Sequence, residues 1–94
     1  MADSGQDWKG RQLLISYRLR ERRRSLGLTQ EQVVIELGRA GIHVNGRWIS
    51  SVEHGTGIDV AKLPELAAAL ECTVTYLLGL TDDPEQWQSD QTAY

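Results

Sequence analysis

The side chains able to do chemistry are few, and their spacing argues against most kinds of it. His43 and His54 stand eleven positions apart with no cysteine or carboxylate at ligand spacing, so no metal site is expected. There is no Ser, His and Asp in triad order, no glycine-rich phosphate loop and no credible carboxylate pair. The expectation is therefore a chain that is not an enzyme and uses no cofactor. Cys72 is the single cysteine and cannot close an internal disulfide. With nothing basic beside it in sequence, it reads as a small buried hydrophobe rather than a redox sensor. What remains is a set of cations, including the run Arg20, Arg22, Arg23 and Arg24, which in isolation reads as a solvated helix face.

The distribution of charge says more than its total. Net charge is −3, yet residues 8–58 hold nine basic side chains against four acidic ones, whereas residues 59–94 hold only Lys62 against seven acids. Such asymmetry points to an anionic partner for the first half. The acids Asp82, Asp83, Glu85 and Asp90 crowd into residues 81–94, which read as a polar tail, with Trp87 and Tyr94 as its least explained residues. Trp8 is a third aromatic outside the expected core, a hint that the ends pack somewhere.

These side chains need a scaffold, and 94 residues make one domain. Apolar residues are 40 % of the chain and Phe is absent, so Leu, Ile, Val and Ala must fill the core. No apolar run approaches the roughly 20 residues of a membrane span, and residues 1–10 lack a signal peptide's apolar region. With one cysteine, the expected location is cytoplasmic.

The chain reads as five short helices with no strand alternation. Ile15, Leu19 and Leu26 recur at helical spacing over 13–26, and Gly27 closes that helix. Thr29 and Gln32 fit a capping box for a second helix burying Val33, Val34 and Leu37. Asn45 is a good N-cap for a third helix from Gly46 to His54, with Ile49 and Val52 inward. Asp59 is the expected cap of a fourth helix carrying Leu63, Leu66, Ala67 and Leu70, with Pro64 in its first turn. Thr73 caps a fifth, short helix that Gly79 ends.

Three runs stand in order along these helices: Leu26-Gly27-Leu28-Thr29-Gln30-Glu31-Gln32-Val33, then Ile49-Ser50-Ser51-Val52-Glu53-His54-Gly55, then Leu63-Pro64-Glu65-Leu66-Ala67-Ala68-Ala69-Leu70. Together they resemble the helix-turn-helix domain of lambdoid phage repressors and Cro proteins (the Cro/C1-type, XRE-like regulators), and Val74-Thr75-Tyr76-Leu77-Leu78 is similar to that family's fifth helix. The resemblance implies an all-α, compact five-helix DNA-binding domain over 13–80, an N-terminal arm over 1–12 and an acidic C-terminal tail over 81–94. One departure is expected to matter: Leu37 and Ile49 lie twelve positions apart, further than in that family, so the helix 2–helix 3 turn must be extended.

The resemblance also assigns roles. Gln30 opens helix two and should sit against a DNA phosphate. Asn45, Gly46, Arg47, Ser50 and Ser51 match positions at and after the start of the recognition helix, which enters the major groove. Arg47 is the side chain there best suited to a two-pronged contact with guanine. Trp48 stands where small polar residues are common, and either the sugar-phosphate backbone or the neighbouring helix can receive its indole. Arg39, in the extended turn, and His54 are further candidates for phosphate contact. Arg18 and Glu53 match a buried ion pair tying helix one to the recognition helix.

The implied function is sequence-specific double-stranded DNA binding by a transcriptional regulator, a repressor in first reading. It would act as a homodimer on a two-fold operator in a bacterial or phage setting, at the nucleoid. The competing reading is an antitoxin-like or adaptor module whose acidic C-terminal half holds a protein partner, with DNA binding secondary.

Overall fold

Side-chain caps decide where the helices begin. The Thr29 hydroxyl accepts from the Gln32 amide at 3.1 Å while the Gln32 side chain accepts from the Thr29 amide at 2.8 Å, a reciprocal pair that satisfies two otherwise orphaned donors. Asn45 accepts from the Trp48 amide at 2.9 Å, and Thr73 from the Tyr76 amide at 3.0 Å. The helices that follow are α2 (Gln30–Arg39), α3 (Gly46–Glu53) and α5 (Val74–Leu77).

The computed structural model describes residues 4–90, with side chains from residue 8 onward. Two further helices, α1 (Ser4–Ser25) and α4 (Leu63–Ala69), and a 3-10 turn (Val60–Lys62) complete the elements. No strand occurs among the described residues, so the class is all-α. No helix among them is long and apolar enough to cross a membrane.

The helices share one core, in which Ile15 and Leu19 of α1 meet Leu37 of α2, Val52 of α3, Leu66 of α4 and Leu77 of α5. α1 packs on α3 and α5, α2 packs on α3 and α4, and α4 packs on α5. Gly79, at φ +80°, closes the α5 end against α1, where a Cβ would fall onto Leu14 Cδ2. An L-residue there would meet both the left-handed backbone and that methyl.

Four expectations are corrected. Residues 4–12, read as part of an arm, are the first turns of α1; helix is favoured there because Ser4 to Gly10 contains no proline and continues directly into the apolar stripe. Asp59 caps the 3-10 turn at the Ala61 amide (3.0 Å) rather than α4, because Pro64 occupies the first turn of α4. Arg39, read as part of the extended turn, is the last residue of α2, and the extension itself is the six residues 40–45. Gly41 (φ +90°) turns the chain out of α2, and Ile42 and Val44 then pack on the core, so the extension is an anchored segment.

The fourth correction concerns residues 81–90, which fold back as an irregular strap. The Thr73 amide donates to Pro84 O (2.9 Å) and its hydroxyl to Gln86 O (2.8 Å). The Thr75 hydroxyl donates to Trp87 O (2.6 Å), and the Asp90 amide to Leu80 O (2.8 Å). Carbonyls of a polar segment thus accept from the N-cap amide of α5, left open at the helix start, and from two threonine hydroxyls there. Trp8 and Trp87 remain exposed, so their indoles do not anchor the ends; Tyr94 lies outside the described residues.

Candidate nucleic-acid interface

α3 is amphipathic over its eight residues, burying Ile49, Val52 and Glu53. The opposite face begins with exposed Gly46 and Arg47 and continues through half-buried Ser50 and Ser51. Arg47, Ser50 and Ser51 share one side of the helix at i, i+3 and i+4. Gly46 lines a cleft with Gln30, Glu31 and Val34, so the start of α2 adjoins the start of α3. Of the two arginines on these helices, Arg39 donates to Glu36 Oε2 at 2.8 Å, whereas Arg47 makes no hydrogen bond or ion pair among the described residues. A free guanidinium at an exposed helix start, beside a second helix N-terminus, is suited to phosphate oxygens and guanine edges.

Glu53 holds this arrangement to the rest of the molecule. It is 5 % exposed, and the expected partner Arg18 does not reach it. Arg23 does, with Nε at 2.6 Å from Oε2 and Nη2 at 3.0 Å from Oε1, a fork-to-fork geometry. The hydrogen bond to Glu53 raises the Arg23 pKa above its already high ordinary value, against the opposing effect of burial. Arg23 Nη1 also donates to Leu28 O at 3.0 Å. The physical reason is register: Arg23 follows Ile15 and Leu19 at i+8 and i+4 on the inward side of α1. Arg18 is rotated toward α5, where it donates to Tyr76 O and Thr81 O, pairs with Asp82 at 2.8 Å and lies over the Tyr76 ring.

Gln30 joins the same cluster. Its Nε2 donates to Glu53 Oε1 at 3.0 Å, which uses one of its two side-chain N–H donors and fixes the amide at the mouth of α2. Glu53 thus ties α1, α2 and α3 together. The arginine run is not the solvated face its composition suggested. Arg22 donates to Leu70 O (2.9 Å) and Glu71 O (2.8 Å) at the C-terminal end of α4, and Arg20 reaches Glu53 O at 3.4 Å. Guanidinium groups at helix C-termini satisfy carbonyls left open there. Arg24 alone of the run remains at the surface, beside Glu21.

Trp48 is half-buried and packs against the core cluster, with Lys62 Nζ 5.8 Å from its ring centroid. Lys62, which no sequence pattern singled out, donates to Asp59 Oδ2 at 2.6 Å, and that bond holds the Asp59 carboxyl below its ordinary pKa. His54, the C-cap of α3, places its Nδ1 2.6 Å from Ser50 O. Cys72 is half-buried, and burial pushes its thiol up to about 11. Among the described residues no group of three or more His, Cys, Asp or Glu could hold a metal ion. No family model, curated protein or solved structure matches the chain.

Proposed function

We propose that the protein is a sequence-specific double-stranded DNA-binding regulator of the lambdoid repressor/Cro-like helix-turn-helix type, with α3 as the recognition helix. The observation that carries this reading is Arg47, exposed and unpaired at the start of α3 while the other face of that helix is buried and braced through Glu53. Arg47 reads a guanine through its two-pronged donor set. Gly46 lets the backbone approach closely, and Ser50 and Ser51 contact bases or phosphates one turn further along. Asn45 and Gln30 hold the two helix starts against the phosphate backbone. A homodimer would place two such helices about one helical turn of DNA apart.

A salt titration tests the reading. Binding to a short duplex should weaken steeply as salt rises, because each phosphate contact releases a counterion. Salt-independent association, or none at low salt, contradicts it.

One observation favours the adaptor reading. Trp87 is 69 % exposed on an acidic strap whose backbone is hydrogen-bonded to α5, and an exposed aromatic on ordered backbone suits a protein contact. Size exclusion of the chain with and without duplex separates the two, since an adaptor leaves the DNA unshifted.

A further inference from the structure

The acidic half of the chain carries one cation, Lys62, against seven carboxylates, and the fold sets that cation beside the first turn of α3. Lys62 ends the 3-10 turn. With His43, Val44, Asn45 and Trp48 it lines an open cleft of about 470 Å³. Two contacts hold its ammonium: the Trp48 ring at 5.8 Å and Asp59 Oδ2 at 2.6 Å. Asp59 is itself fixed, since its other oxygen caps the 3-10 turn at the Ala61 amide. An ammonium has three donors, so two remain for a ligand. On the opposite wall His43 stands exposed between Ile42 and Val44, both packed on the core. The extended α2–α3 connection therefore lines the cleft together with the Lys62–Trp48 pair, next to the Asn45 cap of α3.

We infer that this cleft seats a backbone phosphodiester of the duplex that α3 enters, with Lys62 as the contacting cation and Trp48 as the surface that holds it in place. The inference rests on the DNA-binding reading above. The chemistry is that of an anion site: an ammonium with two free donors and an exposed imidazole line one open space, and the nearby Asp59 carboxylate is engaged by Lys62 and by its cap. Phosphate contacts fix register without reading sequence. A strand held at Lys62 sets how far Arg47 reaches toward the base edges. The extra length of the connection acquires a purpose as the second wall of that seat.

The test compares salt dependence for the full-length wild type and variants on a short mixed-sequence duplex. Lys62→Gln should flatten the slope of log K against log salt by about 0.9, one counterion fewer, and weaken binding by the same factor on every sequence tried. Lys62→Met, which keeps the stem against the indole, should do the same, and Lys62→Arg should keep the wild-type slope. Unchanged melting midpoints show that the variants are folded. Wild-type slopes for Lys62→Gln and Lys62→Met overturn the inference and leave the DNA reading standing. A wild-type chain that does not bind duplex even at low salt overturns both.

Discussion

Glu53 carries a charge in a place nearly closed to water, and that is tolerable only because Arg23 and Gln30 supply three donors to its two oxygens. Glu53→Ala leaves the Arg23 guanidinium 13 % exposed without its carboxylate. The expected cost is about 3–5 kcal/mol of stability, read from denaturant unfolding; an unchanged midpoint contradicts the role assigned to the pair. That Glu53 would be buried and paired was legible in the sequence. Its partner was not, because Arg18 and Arg23 both lie on α1 and only their rotation about the helix axis separates them. Cys72 gives a second test. Burial raises its thiol to about 11, with Arg22 and Arg18 nearby pulling the other way, while an unfolded chain has a thiol near about 8.5. Alkylation of the folded protein should stay slow at pH 8 and accelerate only toward pH 11. A reactivity midpoint near 8.5 in the folded state contradicts this. The sign for stability follows: the folded state binds its proton more tightly, so stability is lost as pH rises from about 8.5 and levels off above 11.

Among the elements, α5 depends most on its surroundings. A helix of four residues cannot persist on local propensity, so packing and the strap must hold it. Residues 81–94 read as a tail because their composition is polar and acidic, and composition does not reveal that Thr73 and Thr75 turn hydroxyls toward Gln86 O and Trp87 O. Truncation after Asp83 removes these bonds together with those from the Thr73 amide to Pro84 O and from the Asp90 amide to Leu80 O. At about 0.5–1.5 kcal/mol each, offset by the ordering entropy of the lost residues, the net loss should be about 1–3 kcal/mol. Amide exchange should quicken at Tyr76 and Leu77. Exchange rates and stability equal to the full chain's would make the strap idle. The starts of α2, α3 and α5 were legible because a Thr or Asn cap leaves a local signature. The start of α1 was not, because residues 8–12 bury no side chain and so carry no apolar period.

On the scale of the whole molecule, the division of charge turns out to have two uses. Some cations of the first half are internal struts, with Arg18, Arg22 and Arg23 each bound to a carbonyl or carboxylate of a distant element. Others remain at the surface, and Arg47 is the one that stands free at the start of α3. The acids of the strap include Asp82, which neutralises Arg18, and the remaining carboxylates keep that end of the molecule unsuited to a phosphate backbone. The account therefore stands or falls on Arg47. The decisive measurement is the affinity of wild type and Arg47→Ala for a duplex selected from a random pool and for its single-base variants. Arg47→Ala should melt as wild type does yet lose about 1–3 kcal/mol of discrimination at one G·C pair, with preferences elsewhere retained. A folded Arg47→Ala protein that keeps the wild-type ranking of every variant would contradict the assignment of α3 as the helix that reads DNA.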